Sequence, residues 1–488
     1  MRVRFAPSPT GYLHIGGLRT ALYNYLLAKR HGGVFVLRVE DTDQTRFVAD
    51  AEQDILDSLT WAGLSFEEGP GVGGPFGPYR QSERSARYKE VADELVRLGK
   101  AYFAFDSSED IEAMKGRHTT AENPTPRYDF NTRLEMVNSL TLSEADVKAR
   151  LDRGDEFVVR LLVKPGQVVS FQDAVRGDVS FESDAVDDQV LIKSDGLPTY
   201  HLANIVDDHD MQITHVIRGE EWLSSTPKHI LLYDALGWSA PQMAHLPLIL
   251  SPTGGKLSKR NAEKQGIPVS VQQYIQHGYE PGALLNFLAL LGWNPGNDQE
   301  IMDLDEMAAV FSLDRVGQAG VQFDLQKLAW FNEQYVRAKS PHEIAVSVLP
   351  SVLERFGDFS LDYVEGAVKL MLERMTFEKD LLDASYLFQA PTAYDEKSVQ
   401  KRWKTDSSEL LISFSTEFES LSAWDAASIE ASLKAKVERD AIGLGSIMFP
   451  VRLSLTGEPS GPDLFGMMEL FGKTEVLARM QRAAKDLG

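Results

Sequence analysis

Apolar and polar positions alternate in two different rhythms along the first forty residues. Short apolar runs at residues 3–6 and 34–39 predict buried strands. Between them, apolar side chains recur at helical spacing: Leu18, Leu22, Tyr25 and Leu26. A strand, a helix and a second strand form a βαβ unit, whose crossover is right-handed and whose strands are parallel. The pattern therefore predicts an α/β fold with a parallel sheet and a ligand site at the carboxyl ends of its strands.

This alternation changes twice further along the chain. Residues from about 100 to 190 contain a polar stretch and strand-like runs such as 157–163, which we interpret as an α+β insertion within the α/β fold. The α/β pattern resumes at 188–192, and from about residue 270 onward the periodicity is almost entirely helical, without convincing strands. We therefore divide the chain into the segments 1–99, 100–190, 191–245, 246–335 and 336–488.

Composition restricts the class of protein. A chain of 488 residues is too long for one hydrophobic core, so three or more domains are expected. The absence of cysteine excludes disulfides and thiolate zinc sites and fits a cytoplasmic protein. No apolar run is long enough to span a membrane, and the N-terminus enters a strand without room for a signal peptide.

The net charge of −22 argues at first against a nucleic-acid partner. Phosphate binding depends on where Lys and Arg lie, however, and a sum over the chain cannot reveal a basic face. The motifs therefore carry more weight than the net charge in deciding between partners.

The first candidate motif, residues 7–17, follows the first strand. Its turn precedes a predicted helix start, where exposed amide groups attract anions, and His14 adds a hydrogen-bond donor at the same place. Gly16 lacks a Cβ, so a nucleotide can approach the backbone closely. On this segment alone, a helix cap with a surface histidine is the more common explanation.

The second candidate motif, residues 256–260, lies in a loop rich in Gly and Ser. Lys256 and Lys259 would supply cations that a closing loop places over bound phosphates. Such cations stabilise the charge that develops when a nucleophile attacks phosphorus more than they stabilise the ground state. A solvated basic loop is the alternative, because short motifs of this kind often match by chance.

Charged and polar residues near the predicted strands give further candidates. Arg4 lies in the first strand, where burying an arginine is costly without a partner, so it belongs either to a structural ion pair or to a carboxylate site. Asp41 and Asp43 favour a turn with side-chain capping over a metal site, and we predict no metal site. Tyr200 and Asn204 share one helical face if their segment is helical.

Together the two motifs resemble the two ATP-binding motifs of class I aminoacyl-tRNA synthetases. The surrounding sequence, including the block 197–208 and the segment 216–222, resembles bacterial-type glutamyl-tRNA synthetases over nearly the whole chain, more weakly beyond about residue 340. The resemblance implies a class I Rossmann-like parallel-sheet catalytic domain with an α+β insertion, followed by an all-α region. The resemblance also implies a role for each segment. Residues 1–99 and 191–245 are the two halves of the catalytic domain, and residues 100–190 between them are an acceptor-stem-binding insertion. Residues 246–335 are a stem-contact helical domain with the basic loop, and residues 336–488 are an anticodon-binding domain.

The resemblance also implies a reaction and its partners. A glutamate–tRNA ligase activates glutamate with ATP to glutamyl-adenylate and pyrophosphate, and then transfers glutamate to the 3′-terminal adenosine of tRNA(Glu). ATP is expected as its complex with Mg²⁺, without structural zinc. The protein is expected to be a cytoplasmic monomer without a membrane partner.

Roles for single residues follow from the same resemblance. It implies catalytic roles for His14, Lys256 and Lys259. It implies contacts with ATP for residues of both motifs and one acid: Pro7, Thr10, Gly11, His14, Gly16, Gly17, Glu221, Leu257, Ser258, Lys259 and Arg260. It implies a glutamate pocket formed by Arg4, Ala6, Ser8, Glu40, Tyr200, Asn204 and Arg218. In that pocket Glu40 lies against the α-amino group of the substrate.

The chain departs from the family pattern at two places. Gly17 stands where the first motif usually has a second histidine, a variation common among glutamyl enzymes. Ala104 and Asp106 replace cysteines that hold zinc in some members. We therefore expect the insertion to be held by its own packing, including the aromatic side chains of Tyr102, Phe103 and Phe105.

Three other functions share parts of these features. A glutaminyl enzyme usually has a β-barrel anticodon domain, whereas the C-terminal pattern here is helical. A shortened paralogue that modifies a tRNA base would lack the C-terminal half. A catalytically silent tRNA-binding protein would not need His14, Lys256 and Lys259. The sequence leaves open whether tRNA(Gln) is charged as well.

Overall fold

The N-terminal βαβ unit forms as its pattern predicts. The computed structural model describes residues 1–257, 261–262 and 264–488, without the side chain of Gln44. Strand β1 (Arg2–Phe5) and strand β2 (Val34–Leu37) are parallel and are joined by helix α1 (Ile15–Arg30). The apolar stripe of α1 is buried, so the helical period and the core-facing side coincide.

The described helices that follow α1 in the first part of the chain are α2 (Ala51–Trp61), α3 (Ser85–Arg97), α4 (Ser108–His118), α5 (Glu144–Arg153), α6 (Tyr200–Asp210), α7 (Thr226–Leu236), α8 (Val271–His277), α9 (Pro281–Leu290) and α10 (Leu304–Val310). The described strands that follow β2 are β3 (Ala101–Ala104), β4 (Val158–Leu161), β5 (Val168–Asp173), β6 (Gly177–Glu182), β7 (Val190–Ile192), β8 (His215–Gly219), β9 (Gln242–Leu246), β10 (Ile249–Leu250) and β11 (Val321–Gln322).

Strands from distant parts of the chain share a sheet. The order of this sheet is β6-β5-β9-β8, with β8 and β9 parallel and β5 antiparallel to β6. Strand β5 pairs with β9 in parallel at Asp173 and Met243. Part of the segment 100–190 is therefore bonded to a strand of the segment 191–245.

A short strand occurs in the region where the periodicity was almost entirely helical and showed no convincing strand. Strand β11 pairs in parallel with β10, with Val321 opposite Ile249. Two residues provide too little alternation for a strand to be recognised from hydrophobic periodicity. Its existence depends on the partner strand rather than on its own sequence.

The segment around β3 is held by its own small core. Tyr102, Ala104, Met114, Tyr128 and Met136 form a buried cluster. Asp106 accepts hydrogen bonds from the Tyr128 hydroxyl at 2.8 Å and from the amide of Val137 at 2.7 Å. A carboxylate at this position thus bonds to neighbouring loops within the protein.

The chain divides into two compact units, residues 1–277 with 281–328 and residues 278–280 with 329–488. Helix α11 (Leu325–Ala338) includes the division at 328, and no strand occurs in residues 329–488, all of which the structure describes. The second unit contains the helices α12 (Pro341–Phe356), α13 (Leu361–Met371), α14 (Glu396–Arg402), α15 (Ser407–Glu419), α16 (Ala426–Arg439), α17 (Leu444–Thr456), α18 (Leu464–Phe471) and α19 (Lys473–Asp486).

Every helix of this second unit except α14 contributes apolar residues to one continuous core, which includes Ile344, Val364, Phe414, Leu433, Val451, Met467 and Met480. Ser340 begins α12 with a capping box: its hydroxyl accepts from the amide of Glu343, and the Glu343 carboxylate accepts from the amide of Ser340. Among the helices that the structure describes, none is long and apolar enough to cross a membrane.

Candidate active site

A cavity of about 1130 Å³ opens at the carboxyl ends of β1, β2, β8 and β9. A ligand site at these strand ends is expected for a parallel α/β sheet. The cavity walls include every described residue to which the sequence assigned a site role: Arg4, Ala6, Pro7, Ser8, Thr10, Gly11, His14, Gly16, Gly17, Glu40, Tyr200, Asn204, Arg218, Glu221, Lys256 and Leu257. Ser258, Lys259 and Arg260, the rest of the second motif, lie outside the described residues.

The first motif both caps a helix and lines the cavity. His14 is the N-cap of α1, and its Nδ1 accepts a hydrogen bond from the amide of Gly17 at 3.1 Å. A Cβ at Gly16 would lie 3.1 Å from His14 Nδ1, and a Cβ at Gly17 would lie 2.8 Å from a methyl carbon of Leu13. Both glycines therefore leave space that the imidazole and Leu13 occupy. Because Nδ1 accepts, the Nε2 atom of His14 carries the proton.

Arg4 belongs to a buried cluster of charges beneath the cavity. Its Nε donates to Asp208 Oδ1 at 3.0 Å, and Arg38 Nη1 donates to the same oxygen at 2.7 Å. Burial by itself would raise the pKa of Asp208, but Arg4 and Arg38 outweigh burial and lower it. The ion pair that the sequence left as an alternative for Arg4 is thus present, and Arg4 also lines the cavity.

Glu40 is held at the edge of the same cluster. Its Oε1 accepts from Arg38 Nη2 at 3.1 Å and from the side-chain amide of Asn204 at 3.3 Å. Burial raises the pKa of Glu40, and the positive charges of Arg38 and Arg4 only partly oppose this effect. Glu40 therefore offers an anchored carboxylate to a cationic group that enters the cavity.

Arg218 has different surroundings from Arg4. This arginine is 5% exposed, and its Nε donates to His245 Nε2 at 3.0 Å. Its Nη1 donates to the Tyr200 hydroxyl at 3.1 Å and to His229 Nδ1 at 3.2 Å, and its Nη2 donates to the Thr226 hydroxyl at 2.9 Å. All of these acceptors are uncharged groups. Within the described part of the chain, no carboxylate pairs with Arg218.

The second motif begins in a tight turn at the cavity wall. The amide of Ser251 donates to the carbonyl of Gly255 at 2.9 Å, and Gly254 and Gly255 have positive φ angles of 90° and 75°. Glycine adopts such angles without steric cost. Lys256 Nζ lies 3.7 Å from Glu221 Oε1, and both side chains are about half exposed. Lys256 is thus placed near the cavity mouth with one partially solvated partner.

The acidic residues after β2 bond to neighbouring groups. Asp41 accepts from the amide and the hydroxyl of Ser82 at 2.8 and 2.6 Å. Asp43 accepts from the Thr45 hydroxyl and from Arg46 Nε, both at 2.7 Å. The contacts of Asp43 are local turn contacts of the kind that the sequence favoured, whereas Asp41 bonds to a residue 41 positions further along the chain. In the residues that the structure describes, no group of three or more His, Asp or Glu side chains is arranged to hold a metal ion.

The sequence assigned no role to several residues that hold the cavity side chains. Asp207 and Asp208 belong to the block 197–208, where the sequence predicted a helix only conditionally, and no pattern indicated that these two carboxylates are buried. Tyr200, at the start of the same block, packs its ring against that of Trp222 at 4.2 Å between centroids. His229 and His245 lie far along the chain from this block, and no sequence pattern connected them with Arg218.

Comparison with known proteins is consistent with this geometry. The model of the catalytic domain of class I tRNA synthetases (E and Q) matches residues 1–330, and an anticodon binding domain model matches residues 343–484. A glutamate–tRNA ligase of Amoebophilus asiaticus is 47% identical, covering 99% of this chain and 98% of the relative. One of Flavobacterium psychrophilum is also 47% identical, covering 100% and 99%.

A solved structure gives the same result. The crystal structure of a glutamate tRNA ligase from Elizabethkingia meningosepticum in complex with its amino acid matches with a TM-score of 0.96 at 42% identity, over 100% of both chains. The predicted fold class, a Rossmann-like catalytic region followed by an all-α region, is confirmed. The chain therefore belongs to the class I aminoacyl-tRNA synthetases, in the family of the glutamate–tRNA ligases.

Proposed function

We propose that this protein joins glutamate to tRNA(Glu) in two steps within the cavity at the strand ends. An α-carboxylate oxygen of glutamate attacks the α-phosphorus of ATP, and the bond to pyrophosphate breaks. A ribose hydroxyl of the terminal adenosine of tRNA then attacks the carbonyl carbon of glutamyl-adenylate and releases AMP. The observation that carries this proposal is that the first motif, the described residues Lys256 and Leu257 of the second motif and the predicted glutamate pocket all line one cavity. Positioning and charge stabilisation suffice for such steps, without a covalent enzyme intermediate.

The charges of the cavity complement those of glutamate. The substrate carries two carboxylates and one ammonium group, and the cavity wall includes Arg4, Arg218 and Glu40. We assign the arginines to the carboxylates and Glu40 to the ammonium group. Arg218 supports this assignment best, because its described partners are neutral and its charge is available to an anion. Ala6, Ser8, Tyr200 and Asn204 complete the proposed glutamate pocket.

The two motifs are assigned to ATP. His14 Nε2–H and the first amides of α1 are donors at a helix start, where the helix dipole also favours phosphate. Lys256 and Lys259 would stabilise the charge on the phosphorus and on the departing pyrophosphate. Additional contacts with ATP are assigned to Pro7, Thr10, Gly11, Gly16, Gly17, Glu221, Leu257, Ser258 and Arg260. Mg²⁺ would enter with ATP as part of the substrate, and we propose that the protein contains no structural zinc.

The remaining parts of the chain are assigned to tRNA. We propose that 100–190 binds the acceptor stem, that 246–335 contacts the stem and that 336–488 reads the anticodon. The match of an anticodon binding domain model to 343–484 and the division of the structure at residue 328 support a boundary in this region. We further propose a monomer that acts in the cytoplasm.

A charging assay with two tRNAs tests the proposed function. The purified protein is incubated with labelled glutamate, ATP, Mg²⁺ and either tRNA(Glu) or tRNA(Gln), and with labelled glutamine in parallel. We expect glutamate on tRNA(Glu) and no transfer of glutamine. A Lys259→Ala variant should lose about a hundred-fold or more in the rate of adenylate formation, the usual effect of removing one transition-state donor. Transfer of glutamine, or no charging of either tRNA, would contradict the proposal.

A further inference from the structure

Two chains of hydrogen bonds end at the guanidinium of Arg218, and all of these bonds are buried except the partly buried one to His201, which lines the cavity. In the first, Asp173 Oδ2 lies 2.5 Å from His245 Nδ1, and His245 Nε2 lies 3.0 Å from Arg218 Nε. In the second, His201 Nδ1 lies 3.1 Å from His229 Nε2, and His229 Nδ1 lies 3.2 Å from Arg218 Nη1. Asp173, His229 and His245 are 3% exposed or less. Arg218 is thus held by two histidines, which are themselves hydrogen-bonded to Asp173 and His201.

The direction of these hydrogen bonds determines the tautomer of each imidazole. Arginine only donates, so His245 Nε2 and His229 Nδ1 must accept and carry no proton. His245 then carries its proton on Nδ1 and donates it to Asp173, while His229 carries its proton on Nε2 and donates it to His201. Burial and the charge of Arg218 lower the pKa of His229 well below its usual value. Burial also lowers the pKa of His245, although the hydrogen bond to Asp173 opposes this change.

Asp173 is itself held rigidly by the backbone. Its Oδ1 accepts from the amides of Val175, Arg176 and His245 at 3.0, 2.9 and 3.2 Å. The other oxygen, Oδ2, is therefore directed at His245 Nδ1. The parallel pairing of β5 with β9, in which Asp173 lies opposite Met243, brings the carboxylate to this place.

Neutral acceptors orient the Arg218 guanidinium without offsetting its charge. Arg4 shows the contrasting arrangement, because its charge is paired with the carboxylate of Asp208 at 3.0 Å. A carboxylate placed directly against Arg218 would compete with an anionic ligand for the same donors. In the observed arrangement the carboxylate of Asp173 is separated from Arg218 by the ring of His245.

We infer that Asp173 and His201 are positioning residues for glutamate. Asp173 selects the tautomer of His245, and His201 selects the tautomer of His229. The unprotonated ring nitrogens of these two histidines then accept hydrogen bonds from Arg218 and hold it in place for a substrate carboxylate. This inference rests on the proposed function, in which Arg218 binds glutamate. It adds two residues outside the predicted glutamate pocket and a reason for the buried histidines behind Arg218.

The variant Asp173→Asn tests the first chain with little change of shape. The asparagine amide nitrogen would face His245 Nδ1 and donate to it, so the imidazole would carry its proton on Nε2 instead. The Nε2–H group would then face the Nε–H group of Arg218, and the hydrogen bond between the two side chains would be lost. The loss of a hydrogen bond to a charged group changes binding by about ten- to hundred-fold. In ATP–pyrophosphate exchange with saturating tRNA, we therefore expect the KM for glutamate to rise by this factor, with kcat and the KM for ATP nearly unchanged. An unchanged KM for glutamate, or an equal rise of both KM values, would overturn the inference.

A pair of variants at His245 provides the same test without altering Asp173. His245→Gln can place an amide oxygen near the position of Nε2 and restore an acceptor for Arg218, whereas His245→Met fills the space without one. We expect a KM for glutamate near the wild-type value in the first and at least about ten-fold higher in the second. Equal KM values in two variants with equal melting temperatures would overturn the inference, even if Asp173→Asn does not fold.

His215→Gln is the matched control. His215 lies on the same strand as Arg218, bonds to the Thr214 hydroxyl at 2.8 Å and does not line the cavity. This variant should retain wild-type kinetics for glutamate and ATP. If neither the wild-type protein nor this control activates glutamate, the proposed function fails and the inference fails with it. If both do so and the Asp173 and His245 variants show no selective effect on glutamate, only the inference fails.

Discussion

Arg4 and Arg218 line the same cavity, yet their charges are balanced in different ways. Arg4 shares the buried carboxylate of Asp208 with Arg38, at 3.0 and 2.7 Å. Arg218 is surrounded by uncharged side chains. A substrate carboxylate should therefore gain more from Arg218 than from Arg4, because no protein anion competes for the same charge.

The planar fork of Arg218 should be essential for glutamate binding. In Arg218→Lys, one ammonium group cannot reach the positions of Nε and both Nη atoms, so His245 and His229 lose their donor and the substrate loses its oriented partner. We expect the KM for glutamate to rise by about ten- to hundred-fold in pyrophosphate exchange, with little change in the KM for ATP.

The control for this prediction is Arg87→Lys. Arg87 forms a partly exposed ion pair with Asp210 at 3.0 Å and does not line the cavity. Its replacement should leave both KM values unchanged. Wild-type affinity for glutamate in Arg218→Lys would remove Arg218 from the proposed pocket.

Uptake of a proton by His201 in the unfolded chain should make the folded protein less stable in acid. Burial lowers the pKa of His201 to about 4 from its ordinary value of 6.5, with a further contribution from Lys228. The unfolded chain therefore takes up a proton below pH 6.5 while the folded protein does not. The stabilising contribution is complete above pH 6.5 and decreases by about 1.4 kcal/mol per pH unit as the pH falls towards 4.

The variant His201→Gln removes this proton uptake. We expect its melting temperature to lie below that of the wild-type protein at pH 7.5, and the difference to shrink or reverse at pH 5. Titration of the carboxylates shared by both proteins cancels in this comparison. A difference between the two melting temperatures that does not change with pH would contradict the assigned pKa shift.

At the scale of elements, the start of α1 combines a structural and a chemical task in one side chain. His14 Nδ1 caps the helix by accepting from the amide of Gly17, and the same imidazole lines the cavity wall. The two tasks can be separated, because asparagine at an N-cap also accepts from the helix amides but has no imidazole.

Two substitutions at His14 should therefore have different effects. His14→Ala is expected to lower the free energy of unfolding by about 1 kcal/mol through loss of the cap, and His14→Asn to restore most of that stability. Both should show strongly reduced adenylate formation, measured by pyrophosphate exchange at saturating ATP. Wild-type activity in His14→Asn would show that His14 acts only as a cap.

Strand β5 illustrates how one element connects distant parts of the chain. Its antiparallel partner β6 follows it directly, whereas its parallel partner β9 lies about seventy residues later. The hairpin can form from local sequence, but the pairing with β9 places Asp173 behind Arg218. The segment 100–190, which the sequence predicted to be an insertion, thus contributes to the support of the candidate site.

At the scale of the whole molecule, the two compact units suggest a division of tasks. The first unit contains the cavity and both sequence motifs, and the second has its own apolar core. A unit with its own core can fold independently. Substrate activation and anticodon recognition should accordingly be separable.

Truncation after Leu328 tests this separation. The shortened chain should remain folded, by circular dichroism and a cooperative thermal transition, and should bind ATP and glutamate in calorimetry. We expect it to charge tRNA(Glu) and anticodon variants of that tRNA at equal, low efficiency. It should also show a weaker dependence of tRNA affinity on salt, because phosphate contacts are lost. The full-length chain is the control, and preserved discrimination between anticodon variants would assign another task to residues 329–488.

The sequence by itself determined the class of fold and the place of the site. Periodicity at residues 3–39 predicted the βαβ unit, because the spacing of apolar residues is a local property of each element. The motif around His14 follows a predicted strand, so the rule that ligands lie at carboxyl strand ends placed it at the site. The loop of Lys256 was connected with that motif only through the family resemblance, and its described residues line the same cavity. The helical pattern of the C-terminal half predicted an all-α region for the same local reason.

Only the tertiary structure decided which side chains hold the site together. Asp208 is 204 residues from Arg4, and Asp173 is 72 residues from His245, yet each pair is buried and hydrogen-bonded. Such pairs depend on which distant elements pack together, which the hydrophobic periodicity within one element does not encode. The charge state of a buried group depends in turn on every neighbour that folding brings to it, because burial and nearby charges shift its pKa in opposite directions. For this reason the pairing of Arg4 with a carboxylate and of Arg218 with neutral imidazoles was decided in three dimensions.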